Sequence, residues 1–254
     1  MSLDNLDDLF ASAEDDGLTD DTMDLVVANL NGPTMTGAVG VALDKLAATD
    51  ITLAMNIIDR SGSMAPHAAD LITAYNDDYL AGLQSSPAAD DILVSTLLFN
   101  ENVELYHGYV NLNDTPPLTR RRYSPSGGTA LYDAVAGGLT NMVLYAQQLR
   151  QSGIGVNCLV LVYTDGEDNG SRQRAADIKR AAEELLKQEL YTLAYVGFGH
   201  QNDVAAIRRQ AAAIGFPEVA VAGLSPDELR RIFRMVSMST VRVSQQVGQK
   251  GGVF

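Results

Sequence analysis

From Thr52 onward the apolar positions fall into two alternating textures. Short β-branched or aliphatic runs occupy 53–58 (LAMNII), 92–99 (ILVSTLLF), 103–110 (VELYHGYV), 158–164 (CLVLVYT), 191–198 (YTLAYVGF) and 218–223 (EVAVAG), and they predict six strands. Between them the apolar residues recur at spacings of three and four, which predicts helices. Ala68, Leu71, Ile72, Tyr75 and Tyr79 mark one face; Leu131, Val135, Leu139 and Val143 a second; Ala175, Ile178, Ala182 and Leu185 a third. Ser225-Pro226-Asp227-Glu228 opens the last helix with a Ser N-cap, Pro at the first helical position and an acid three residues after the cap. Its stripe is Leu229, Ile232, Phe233 and Val236.

Apolar strands separated by helices imply a Rossmann-like, doubly wound α/β fold: a mostly parallel six-stranded sheet with helices on both faces. The second and third runs are separated by about four residues, enough for a hairpin and too few for a parallel crossover. The third strand is therefore expected to be antiparallel, at an edge. This domain is expected to cover 51–246, followed by a short tail, 247–254.

The first fifty residues differ in texture. Residues 1–24 mix acids with Leu3, Leu6, Leu9 and Phe10 and read as an acidic, mobile tail, with an amphipathic docking helix as the alternative. Residues 25–50, with turn signals in NLNGPT and a short helix expected at Val39–Leu46, read as an extension packed on the domain.

Charge sharpens that division. The chain of 254 residues carries a net charge of −14, and residues 1–50 hold eleven acids against Lys45 alone. Such a balance argues against nucleic acid as a partner. Cys158 is the single cysteine, which excludes an intramolecular disulfide framework and any Cys-cluster metal site. MSLDNLDDLF lacks the features of a signal peptide, and no apolar run approaches membrane-spanning length. A cytoplasmic protein without membrane contact is the expectation.

The polar chemistry gathers where an open α/β sheet binds ligands, beyond the carboxyl ends of its strands. The first strand runs into Asp59-Arg60-Ser61-Gly62-Ser63, with Gly62 expected to let the turn bend. The loop before the second long helix reads Ser126-Gly127-Gly128-Thr129, and the fourth strand runs into Asp165-Gly166-Glu167-Asp168-Asn169-Gly170. Two carboxylates with three hydroxyls are hard oxygen donors suited to Mg²⁺ or Mn²⁺. Neutral hydroxyls leave such an ion under-neutralised and receptive to an external carboxylate.

Asp59-x-Ser61-x-Ser63, Thr129 after Gly-Gly and Asp165-Gly166 together resemble the metal-ion-dependent adhesion site of the von Willebrand factor A family, over about residues 51–245. The resemblance implies that Ser61, Ser63 and Thr129 ligate the metal directly, Thr129 engaging or releasing with ligand state. Asp59 and Asp165 would act through water, and an acidic side chain of a protein partner would complete the site. The stretch 133–139 and the final LSPDELRRIFRMVSMSTVRVSQ further resemble intracellular bacterial members of the tellurite-resistance and stress-response type. That likeness implies an AAA+ ATPase or a kinase as partner.

The expected function is a non-enzymatic, metal-dependent interaction module. The alternatives are a metal-dependent hydrolase or phosphatase, and an assembly component that oligomerises through its site, the acidic N-terminal segment supplying an acid. Asp133, one turn beyond Thr129, reads either as support for the metal site or as an acid favouring the helix N-terminus. The loop from Asp165 fails as an EF-hand because Ala176 stands where the bidentate Glu belongs. His67, His107 and His200 are scattered and read as surface residues; Arg120-Arg121-Arg122 reads as a solvated cluster able to guide an acidic partner. Cys158 is expected to be buried and inert, and Tyr75, Tyr79 and Tyr132 to be core or rim aromatics.

Overall fold

The computed structural model describes residues 49–245 without a break, together with 20–29 and residues 11, 13, 17, 18, 40 and 41. All six expected strands form: β1 (Asp50–Asp59), β2 (Ile92–Phe99), β3 (Val103–Asn111), β4 (Gly155–Thr164), β5 (Tyr191–Phe198) and β6 (Glu218–Ala222). They make one sheet in the order β3-β2-β1-β4-β5-β6. Every neighbouring pair is parallel except β2–β3, the antiparallel edge that the short connection required. The three-residue gap between β2 and β3 leaves no room for a crossover.

Seven helices are described: α1 (Asp20–Asn29), α2 (Ala68–Thr73), α3 (Ala81–Gln84), α4 (Leu131–Gln151), α5 (Ala175–Lys187), α6 (Val204–Ala213) and α7 (Pro226–Gln245). The sheet divides the core in two. On one face α1, α4, α5 and α6 bury residues such as Leu25, Leu139, Ile178 and Ala211 against Leu53, Ile57 and Val160. On the other, α2, α3 and α7 bury Leu71, Leu83 and Phe233 against Ala54, Leu98 and Leu161. Strands β1 and β2 are sealed from both sides, which is why their runs are continuously apolar instead of alternating.

One expected helix is remodelled. Between α2 and α3 the chain passes through a π-helical stretch, Ala74–Leu80. Both tyrosines of the expected stripe lie there, fully buried beside Phe233, with ring centroids 6.1 Å (Tyr75) and 6.5 Å (Tyr79) from it. The wider turn also buries Asp78, whose carboxylate is bound by Arg234 Nε of α7 at 2.6 Å.

The division at residue 24/25 does not hold, because α1 crosses it. Leu25 and Val26 are buried against α4 and α5, and each such side chain is worth roughly 1.5–3 kcal/mol. Thr22 donates both its amide N–H, at 3.0 Å, and its hydroxyl, at 2.5 Å, to the buried Glu184 carboxylate of α5, and Arg180 pairs with Asp21 at 2.8 Å. Residues 20–24 thus belong to a docked helix, the alternative reading of that stretch. Further along, the Val41 N–H donates to the Tyr109 carbonyl of β3 and the Val41 carbonyl accepts from the Tyr145 hydroxyl of α4. Of the helix expected at Val39–Leu46, only Gly40 and Val41 are described, and neither is helical; the rest lies outside the described residues, as do 1–10 and 247–254. Among the described residues, no helix is long and apolar enough to cross a membrane.

Candidate functional site

In the order β3-β2-β1-β4-β5-β6 the direction of winding reverses between β1 and β4, and a crevice opens there beyond the strands' carboxyl ends. Asp59 is the last residue of β1 and Thr164 the last of β4, so Asp165 follows directly opposite. The loop before α4 completes the rim. Gly62 N–H donates to the Gly127 carbonyl at 3.0 Å and Ser126 N–H to the Arg60 carbonyl at 2.9 Å, which ties the first loop to the third.

The five expected residues converge. Ser61 Oγ lies 3.1 Å from Ser63 Oγ, and Ser63 Oγ donates to Asp165 Oδ1 at 2.8 Å. Asp59 sits beneath them, fully buried: Oδ1 accepts the Ser61 N–H at 2.7 Å and Oδ2 the Thr164 hydroxyl at 2.5 Å. Burial pushes its carboxyl up to about 6, against the opposing effect of those hydrogen bonds. Thr129 Oγ1 faces the Asp165-Gly166 turn, 3.5 Å from where a Cβ at Gly166 would lie. Asp59, Ser61 and Thr129 are buried, Asp165 is half-buried and Ser63 is exposed, so the cluster opens to solvent on one side.

Several supporting residues carry no signal in the sequence pattern. Thr129 is clamped at both ends by Asn169, whose Oδ1 accepts the Thr129 N–H at 2.8 Å while its own N–H donates to the Thr129 carbonyl at 2.9 Å. The Tyr123 hydroxyl donates to the Asp59 carbonyl at 2.6 Å. Glu101, in the β2–β3 turn, accepts the Gly128 N–H at 3.0 Å. Gly127 has φ +73° and turns its missing Cβ toward that carboxylate. Gly62 has no such φ, and a Cβ there would make only ordinary contact with the Gly127 carbonyl at 3.4 Å, so the turn does not depend on glycine at this position as expected.

Asp133 lies in the first turn of α4, where an acid favours the helix N-terminus, and its carboxylate has a further task. Its Oδ1 accepts the N–H groups of Arg172 at 3.0 Å and Gln173 at 2.8 Å, pinning the β4–α5 loop to the start of α4. Arg120 and Arg121 are exposed, as expected of a solvated cluster, whereas the half-buried Arg122 pairs with Glu104 and lies over the Tyr106 ring, 5.4 Å from its centroid. Arg60 turns to the same glutamate at 2.8 Å. Neither Asp59 nor Asp165 therefore has an ion pair among the described residues. Tyr132 lines a rim pocket of about 270 Å³ with Glu167, Asp168 and Gln210. His107 is half-buried and directs Nδ1 to the Gly108 carbonyl at 2.9 Å; Cys158 is buried.

The donor set fits a small, hard cation: two carboxylates that lack a positive partner, and hydroxyls gathered within hydrogen-bonding distance. The model of the von Willebrand factor type A domain matches residues 55–222, spanning all five positions. The chain belongs to that family. No curated protein matches it. Solved structures do: the PilB minor pilin from Streptococcus sanguinis at 14% identity (80% of this chain, 64% of that one, TM-score 0.51), and the vWF domain of the type V pili tip protein Mfa5 from Porphyromonas gingivalis at 10% (81% and 99%, TM-score 0.53). The pilus adhesin SpaC from Lactobacillus rhamnosus GG matches at 14% identity (78% and 30%, TM-score 0.54). The chain thus spans less than two thirds of the pilin, and identities this low speak for the type A fold alone.

Proposed function

We propose that this type A domain is a metal-dependent protein-interaction module. Ser61, Ser63 and Thr129 hold a divalent cation, Mg²⁺ or Mn²⁺, with Asp59 and Asp165 behind them, and the solvent-open side receives a carboxylate from a protein partner. The observation that carries the reading is the run of contacts from Ser61 Oγ to Ser63 Oγ at 3.1 Å and from Ser63 Oγ to Asp165 Oδ1 at 2.8 Å, beside a buried Asp59 with no ion pair among the described residues. When bound, the cation would supply positive charge to two carboxylates and to an incoming third.

The chain's own residues prepare that event. Thr164 and the Ser61 amide orient the Asp59 carboxylate, and Asn169 fixes the backbone of Thr129 while leaving its hydroxyl facing the site. No side chain placed here acts as a dedicated base or nucleophile, which supports a binding role over a hydrolytic one. The sequence likeness to intracellular bacterial proteins supports a cytoplasmic stress-response setting, with an AAA+ ATPase or a kinase as the acidic partner.

Calorimetric titration with Mg²⁺ and Mn²⁺, paired with affinity purification in the presence and absence of chelator, tests the proposal. Ser63→Ala and Thr129→Ala are expected to abolish metal-dependent capture of partner with the fold intact. Asp59→Asn is a better probe than Asp59→Ala, which orphans two buried donors. Capture indifferent to chelator and to all three substitutions refutes the assignment.

A further inference from the structure

Helix α7 presents a second surface, independent of the metal site. One side packs Leu229, Ile232, Phe233 and Val236 into the core. The other carries Arg230, Arg231, Arg234, Met235, Met238 and Arg242 along a shallow groove of about 640 Å³, with Asp227 at its start. Four arginines face Asp227, with Asp78 bound to Arg234 and Glu228 beside Arg231, so the stripe keeps a net positive charge on a protein of net charge −14. Only Arg234 has a carboxylate partner there, Asp78; Arg230, Arg231 and Arg242 have no ion pair among the described residues. Met238 is 66% exposed, and among the described residues Val27 is the one other large apolar side chain so exposed. A line of unpaired cations around a bare methionine fits an acidic peptide with its own apolar stripe.

The chain contains such a peptide. Residues 1–10 carry Asp4, Asp7 and Asp8 beside Leu3, Leu6 and Phe10, whose spacings of three and four would share one face if the segment were helical. No basic residue occurs before Lys45. The segment's point of attachment decides whose groove it can fill. Ala13, Leu18 and α1 are buried in the layer across the sheet from α7. A ten-residue helix reaches about 15 Å, whereas passing from one helix layer to the other spans two packing distances of roughly 10 Å each.

We propose that the groove of α7 is a self-association surface that takes the acidic N-terminal segment, residues 1–10, of a second copy of this chain. Arg230, Arg231 and Arg242 meet Asp4, Asp7 and Asp8, and Met235 and Met238 meet the leucine and phenylalanine stripe.

Light scattering of the full chain in EDTA, across a concentration series, is expected to show mass rising above the monomer. Chelator separates this contact from one bridged by metal. The exposed pair Arg230→Glu/Arg231→Glu and the triple Asp4→Lys/Asp7→Lys/Asp8→Lys are each expected to return the protein to monomer with an unchanged thermal midpoint, and their mixture to restore association. A labelled peptide of residues 1–12 is expected to bind the full chain, with affinity falling about tenfold on the double arginine substitution and weakening with salt. A monomer at every concentration, which is also the result of docking within one copy, overturns the proposal. So does association that needs metal, association untouched by both sets of substitutions, or equal binding of a scrambled peptide of the same composition.

Discussion

Gly127→Ala isolates the joint that holds the Thr129 loop in place. Gly127 sits at φ +73°, where an L-residue costs about 1–2 kcal/mol. Its new Cβ would also overlap the Glu101 carboxylate, which accepts the Gly128 N–H at 3.0 Å. Glu101 is exposed and can swing aside, so the second cost is the lost hydrogen bond, about 1 kcal/mol at this solvated position. The sum is about 2–3 kcal/mol, and at ~2–4 °C per kcal/mol for a domain of this size it is readable as a lowered melting temperature. A double-mutant cycle with Glu101→Ala divides the two costs. Glu101→Ala alone is expected to lose about 1 kcal/mol, and in its background Gly127→Ala is expected to cost only the backbone share, a coupling of about 1 kcal/mol. Urea unfolding of the four proteins supplies the numbers. A cost for Gly127→Ala below about 0.5 kcal/mol refutes the backbone argument, and a cost that does not change when Glu101 is absent refutes the overlap.

Other consequences follow from single contacts. Tyr123→Phe removes the donor to the Asp59 carbonyl and is expected to cost about 0.5–1.5 kcal/mol in urea unfolding without changing the far-UV spectrum. Phe233→Ala empties the centre of the aromatic cluster under α7 and is expected to cost about 3–5 kcal/mol, the largest loss of this set. Burial pushes the Cys158 thiol up, so native protein is expected to resist thiol reagents that label it rapidly in urea. Burial also lowers the basicity of His107 below its usual 6.5, so the unfolded chain takes up the proton first. Its stabilising contribution is complete above pH 6.5 and is lost as pH falls below that value and through the depressed folded-state value; His107→Gln is expected to flatten that part of the stability profile.

What the sequence makes legible, and what it hides, follows the range over which each physical cause acts. The strands and the antiparallel edge are readable because burial on both faces and a short connection act within one element or between neighbours, as in the unbroken apolar run of β2. The residues proposed to hold the cation are readable because each sits at the carboxyl end of a strand or the start of a helix, where hydroxyls and carboxylates recur in a fixed order. Asn169, Tyr123 and Glu101 are not readable, since each acts on a backbone group 27 to 64 positions away. Asp133 shows the same limit from the other side. Its place in the first turn of α4 identifies an acid favouring the helix N-terminus, but nothing local shows that it also holds the amides of Arg172 and Gln173 across about forty residues. The docking of α1 turns on one residue of this kind. Glu184 of α5 is buried, and the amide and hydroxyl of Thr22 supply hydrogen bonds that make its burial tolerable. Helix α1 and the domain are therefore coupled: a change at Thr22 is expected to unsettle α5, and Ala13 and Leu18, before α1, are buried on the sheet face opposite the arginine stripe of α7.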